Sequence, residues 1–263
     1  MREDIRTNFE EKVSYLARRV PGMTVTDHSG FLAVDCGLPS DTFNVLVIRD
    51  MAALTEALAV VDRFNAKGFP LAVWYWGNDI AEMDRVEMAR HGLEHTETHV
   101  AMYADLSQIQ ASPLPDTELE ITPVTTADDL LCFGEAIGAL FGNSDEGEQV
   151  RAYFQRLSAY PPETFPAMRY YLGRLHGEVI ATSTLFVGSQ TTGIYDIVTH
   201  PDYRRRGFGS AMFQHILNEA GRDVLGGKCV LQASTDGLDI YQRAGFRAVG
   251  HVHTFENRRS LSN

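Results

Sequence analysis

One segment restricts the folds open to this chain more than any other: Ile197-Val-Thr-His-Pro-Asp-Tyr-Arg-Arg-Arg-Gly-Phe-Gly-Ser210. A β-branched run ends, a short proline-bearing turn follows, and R-x-x-G-x-G leads into a helix. That helix carries Met212, Phe213, Ile216, Leu217 and Ala220 on one face. The first turn of a helix has free backbone N–H groups and the positive end of the dipole, so it attracts anions. Gly207 and Gly209 lack a Cβ, which lets the backbone approach a phosphate closely. Arg204, Arg205 and Arg206 supply charge-assisted hydrogen bonds. The segment reads as a pyrophosphate cradle, although a plain helix cap with solubilising arginines has the same local pattern. It is not a dinucleotide fingerprint, which needs G-x-G-x-x-G and a later acidic residue, nor a P-loop, since no G-K-[ST] occurs.

The elements around it divide the chain in two. Apolar spacing predicts helices over Ile5–Val20, Met51–Lys67 and Ile80–His91, with Pro21-Gly22, Gly68 and Gly92 as stop signals. Strands are expected at Thr24–Thr26, Phe31–Asp35, Phe43–Ile48, Pro70–Trp76 and Glu94–Ala104. Residues Ser107–Thr117 hold two prolines and no periodicity, so they read as a linker between a first unit, 1–106, and a second, 118–263. The second unit opens with a strand at Glu118–Pro123 and a helix at Ala127–Phe141. An acidic loop, Gly142–Glu148, and a helix at Gln149–Ser158 follow. His176-Gly177 is a two-residue hairpin turn between strands Arg169–Leu175 and Glu178–Val187. The remaining order is strand Gly193–Thr199, helix Ser210–Gly221, strand Lys228–Ser234, helix Gly237–Ala244 and strand Phe246–Phe255.

A second constellation completes the pattern. Asp239-Ile-Tyr-Gln-Arg-Ala-Gly-Phe246 is a short helix ended by glycine and followed by a strand. The pair Arg204–Gly209 and Tyr241–Phe246, joined by helix, strand and helix, resembles the GNAT acyltransferase superfamily, whose members pair R-x-x-G-x-G/A with a later Y-x-x-x-G-F. The resemblance implies an α/β (α+β) fold: a mixed, mostly antiparallel sheet flanked by helices, with two central parallel strands splayed to admit coenzyme A. It implies that Ile197, Val198 and Thr199 pair with the pantetheine arm and that Arg204, Arg205, Arg206, Gly207, Phe208, Gly209 and Ser210 hold the pyrophosphate. Ser234 stands where many relatives carry an Asn that contacts the cofactor, and that departure leaves the contact open.

The implied reaction is acetyl transfer from acetyl-CoA to a primary amine by direct attack in a ternary complex. A free alkylamine has a pKa of about 10.4, so a base is needed. A backbone N–H near Val198 would meet the oxyanion, and Tyr241 would protonate the departing thiolate. Asp196, beside Ile197 on the strand next to the cofactor, is the candidate base, with a structural carboxylate as its plain alternative. Glu135, Asp145, Glu146 and Glu148 fall where relatives shape the acceptor pocket, and His251 and His253 are further candidates. The competing functional reading is a non-catalytic acyl-CoA-binding or sensing module, which would keep the cradle without needing Tyr241.

Residues 1–106 contain neither motif, and their element order suggests a smaller, degenerate GNAT-like domain. Trp74 and Trp76 share a strand face, so core or interface packing is their default and a wall of the acceptor site the alternative. The net charge of −12 excludes a general nucleic-acid binder and favours a cationic acceptor, small molecule or peptide, though acidity also simply keeps a chain soluble. Cys36, Cys132 and Cys229 are too few and too far apart for a zinc site or disulfide framework, and read as reduced thiols. No apolar run approaches the ~18 residues that span a bilayer, and the amino terminus MREDIRTNFEEK lacks a secretory core. The expectation is a cytoplasmic monomer or homodimer without a membrane partner or metal.

Overall fold

A computed structural model describes residues 2–77, 79–109, 117–222, 227–234 and 237–261. The first half comprises α1 (Arg2–Tyr15), β1 (Thr24–His28), β2 (Phe31–Asp35), β3 (Val45–Ile48), α2 (Leu54–Lys67), β4 (Ala72–Tyr75), α3 (Glu82–Arg90) and β5 (Glu94–Asp105). The second comprises β6 (Glu120–Pro123), α4 (Ala127–Gly138), α5 (Asp145–Leu157), β7 (Met168–Leu175), β8 (Glu178–Val187), β9 (Thr192–Thr199), α6 (Phe208–Arg222), β10 (Lys228–Ala233), α7 (Leu238–Arg243), β11 (Arg247–Glu256) and α8 (Arg258–Leu261).

Local chemistry sets most of these boundaries. Gly68 takes a left-handed conformation that ends α2, and its N–H bonds back to Asn65 and Phe64. His176 and Gly177 both have positive φ, as the tight β7–β8 hairpin requires. The expected acidic loop at 142–148 is a correction. Ser144 accepts a hydrogen bond from the Gly147 N–H, and Asp145, Glu146 and Glu148 form the first turn of α5. Negative side chains suit that position because they meet the positive end of the helix. The first helix also starts earlier than its apolar spacing suggested and ends at Tyr15, with Leu16–Val20 in hydrogen-bonded turns. Of the expected linker, residues 110–116 lie outside the described residues.

The eleven strands form one sheet in the order β1-β2-β3-β4-β11-β5-β10-β9-β8-β7-β6. Every junction is antiparallel except β3–β4 and β9–β10. The two halves therefore run related patterns: two antiparallel junctions in the first and three in the second, then in each a parallel one and a final antiparallel strand. That final strand is exchanged between them. β5 ends the first half yet lies between β10 and β11, while β11 ends the second half and pairs with β4 and β5. The parallel pairs differ in a way that matters for function. β3 and β4 stay together over all four residues, Val45–Ile48 with Ala72–Tyr75, and leave no gap between them.

Both faces of the sheet are covered. On one, α1, α4 and α5 pack Phe9, Leu130, Phe133 and Phe154 against strand residues such as Val34, Tyr170 and Val230. On the other, α2 and α3 cover the first half with Leu58, Val61 and Met88, and α6 covers the second with Met212, Phe213 and Ile216. Burying these side chains stabilises the layers by about 1.5–3 kcal/mol per large apolar residue.

Candidate active site

β9 and β10 are hydrogen-bonded neighbours only at Thr192–Cys229 and Gly193–Val230. Beyond that point β9 stays with β8 as far as Thr199, whereas β10 stays with β5 as far as Ala233. The strands part, and the β10-facing edge of Ile194–Thr199 is left open within the sheet. An open strand edge is a template for an extended ligand. A β-bulge lies on the opposite edge of the same strand, where it pairs with β8: Thr182 pairs with Val198 and Thr184 with Tyr195, so Asp196 and Ile197 together oppose Ser183. Asp196 has φ of 53°, and its carbonyl accepts from Thr182 Oγ1 at 3.0 Å. Bulges of this kind turn a strand and re-aim its side chains.

At the end of β9 the chain folds into the expected cradle. Arg205 and Gly207 adopt positive φ, 59° and 87°, which curls the backbone before α6 begins at Phe208. The first helical N–H to bond back is that of Ala211, to the Gly207 carbonyl at 2.9 Å. Among the described residues no group accepts from the amides of Arg205 to Ser210, so the anion-attracting end of α6 is open. Arg204 Nε donates to the Thr199 carbonyl at 3.1 Å and ties the cradle to the strand. Arg206 lies over the rings of Tyr203 and Phe208, at 5.5 and 5.2 Å. Gly209 packs closely on the strand: a Cβ there would sit 3.1 Å from Thr199 Oγ1, so that hydroxyl would have to shift.

A cavity of about 480 Å³ adjoins the parted strands. Of the residues expected at the site, Asp196, Ile197, Ser234 and Tyr241 line it. The Tyr241 ring packs edge-on against Phe213 at 4.8 Å, and burial pushes its phenol up to about 12. Gly237 gives that ring its place: a Cβ at 237 would come within 2.7 Å of it. The first half supplies much of the rest. Phe9 and Lys12 of α1, Trp74 of β4, and Glu97 and His99 of β5 line the same cavity, as do Thr254 and Glu256 of β11. Lys12 Nζ lies 3.6 Å from Asp196 Oδ2. Trp74 stacks on His99 at 5.2 Å, whereas Trp76 is buried in the core against Phe9. Burial lowers the pKa of His99 and raises those of Asp41 and Glu256, which also line the cavity.

The acidic residues named from the sequence for an acceptor pocket do not line this cavity. Glu135 is ion-paired with Arg151 on an exposed surface. Asp145 and Glu148 are exposed on the first turn of α5. Glu146 is 2% exposed and accepts from Ser40 and Thr42 while pairing with Arg258, so it joins the two halves. His251 is exposed, and His253 bonds to Thr98 Oγ1 at 3.1 Å; neither reaches the cavity. The carboxylates that do line it, Asp41, Glu97 and Glu256 besides Asp196, escaped the sequence reading because they come from separate segments with no shared motif. Among the described residues no His, Cys, Asp and Glu cluster could hold a metal, and no helix is long and apolar enough to cross a membrane. The three cysteines are free, Cys36 and Cys229 buried and Cys132 exposed.

Comparison with known proteins agrees with this geometry. Residues 136–246 match the model of the acetyltransferase (GNAT) family. A search of curated proteins finds no match. Among solved structures, the chain resembles a GCN5-related N-acetyltransferase from Kribbella flavida at 16% identity and TM-score 0.63, covering 95% of each chain. It also resembles a GCN5-related N-acetyltransferase from Sphaerobacter thermophilus at 14% identity and TM-score 0.55, covering 96% of this chain and 90% of that one. A tandem GNAT protein from the clavulanic acid biosynthesis pathway is similar at 9% identity and TM-score 0.55, over 93% of this chain and 86% of the other. Residues 136–246 thus match the GNAT family model, and the likeness in fold to these structures extends through the first half.

Proposed function

We propose that this chain, whose residues 136–246 match the acetyltransferase (GNAT) family model, transfers an acetyl group from acetyl-CoA to a primary amine by direct attack in a ternary complex. One observation carries the reading: a parallel strand pair parts after Gly193, with an open helix end at the tip of one strand and Tyr241 in the cavity beside it. The residues fit the co-substrate. Amides of Arg205 to Ser210 and the side chains of Arg204 and Arg205 suit the pyrophosphate, and the open edge of Ile197, Val198 and Thr199 suits the amides of a pantetheine arm. Ser234 borders the cavity and offers a hydroxyl where relatives offer an amide.

Three groups then serve the chemistry. Asp196, on the bulge, takes the proton that the attacking amine must lose. A backbone N–H near Val198, on the edge of β9 that faces away from β8, meets the developing oxyanion. Tyr241 keeps its proton throughout the physiological range, because burial holds its phenol at about 12, and so it is a donor to the departing sulfur. The acceptor is a small-molecule or peptide amine. A cationic one fits the four carboxylates of the cavity.

Calorimetric titration with acetyl-CoA tests the reading, beside an Arg205→Glu, Gly207→Glu variant. Micromolar binding that the variant loses, followed by thiol release with members of an amine panel, supports it. Binding without turnover on any amine would instead favour an acyl-CoA sensor.

A further inference from the structure

The chain contains three lysines in 263 residues, Lys12, Lys67 and Lys228. Two lie on the surface: the side chains of Lys67 and Lys228 are 50% and 42% exposed and pair with Asp35 and Asp4. Lys12 is different. Its side chain is 21% exposed, and it is the sole lysine or arginine among the cavity's described lining residues. α1 holds it over the sheet, with Nζ 3.6 Å from Asp196 Oδ2 and 5.0 Å above the Tyr195 ring. Tyr195 and Asp196 belong to the stretch of β9 that has already parted from β10. A primary amine of the protein itself therefore stands at the edge where the acetyl thioester is proposed to lie, against the carboxylate proposed as base.

We infer that Lys12 is itself an acetyl acceptor, modified within the same chain from bound acetyl-CoA. The inference rests on the acetyltransferase reading. In the step, Asp196 takes a proton from the Lys12 ammonium, and neutral Nζ attacks the thioester carbonyl carbon. The C–N bond forms and the C–S bond breaks. The sulfur leaves with its electron pair and takes a proton supplied through Tyr241. The second amine proton returns that of Tyr241, and the proton on Asp196 passes to water, so the products are acetyl-lysine, free coenzyme A and one released proton. Modification removes the cavity's lysine charge and frees Asp196 from its ion pair, leaving four lining carboxylates for a cationic acceptor.

The test uses the full chain incubated with acetyl-CoA, read by intact mass and then by peptide mapping. The expected result is one acetyl group on Lys12, added roughly tenfold or more faster than on Lys67 or Lys228, because a held amine gains effective concentration. Lys12→Arg should remove the increment while calorimetric binding of acetyl-CoA persists. The Arg205→Glu, Gly207→Glu variant should lose labelling at Lys12 and keep any slow labelling elsewhere. Equal labelling of the three lysines would mark chemical acetylation and overturn the inference. So would an unlabelled Lys12 in protein that binds acetyl-CoA and acetylates a free amine. Failure to bind acetyl-CoA would remove the acetyltransferase reading itself, and this inference with it.

Discussion

Replacing Tyr241 with Phe removes one oxygen from the cavity and leaves the ring packed against Phe213 and Phe246. The fold should therefore hold, and the change reports on the hydroxyl alone. Its worth follows from two acidities. Burial sets the phenol at about 12, while an alkyl thiol has a pKa of about 8.5. Full proton transfer from phenol to thiolate is uphill by roughly 3.5 units, or about 5 kcal/mol. The hydroxyl thus helps chiefly as a hydrogen-bond donor to sulfur as charge develops, with net transfer completed by the amine's own proton. A hydrogen bond to a charged group contributes about 1.5–3 kcal/mol, which corresponds to a fall in kcat of roughly 10- to 150-fold. Steady-state kinetics with thiol detection, beside calorimetry, would measure it. Acetyl-CoA affinity should change by no more than about twofold, since the interaction forms only as the C–S bond breaks. The wild type should also show no alkaline loss of kcat from this group below about pH 10, because its proton is retained there. An unchanged kcat, or parallel losses of rate and cofactor affinity, would refute the assignment.

Three further outcomes follow from the packing. Residues 118–263 expressed alone lack β5, leaving β10 and β11 without their shared neighbour. That fragment should fail to unfold cooperatively by circular dichroism, and a fragment with full activity would contradict the strand exchange. Gly237→Ala places a Cβ 2.7 Å from the Tyr241 ring; displacement of the ring should lower kcat and cost about 1–3 kcal/mol in a urea midpoint series. Glu256 has its carboxyl pKa raised by burial, so the folded state disfavours its charge. That penalty is present above the raised folded value and vanishes as pH falls below the unfolded value near 4.3. Glu256→Gln should raise the thermal midpoint at pH 7 to 8 and lose this advantage near pH 4.

The proposed cofactor side of the site was legible because its chemistry is written in consecutive residues. Arg204 to Gly209 curl within six positions, with Gly207 at a positive φ that suits glycine and Gly209 packed closely on Thr199. Tyr241 could be named for the same reason, since its helix, its glycine and Phe246 are adjacent in sequence. The boundaries that moved were those decided by capping. Ser144 turned an apparent acidic loop into the first turn of α5, and so took Asp145, Glu146 and Glu148 out of the acceptor pocket.

The amino-acid sequence alone was enough to call for strand, cradle, helix, strand and helix in the second half, because each signal acts over a few residues through backbone conformation and hydrogen bonding. Which residues share the cavity was decided only by the tertiary structure. Lys12, Trp74, Glu97, His99 and Glu256 come from four elements. They share one cavity because β5 and β11 cross between the halves and α1 lies over the sheet. The sheet's long-range pairing brings them together, and no short-range pattern in the chain encodes that juxtaposition.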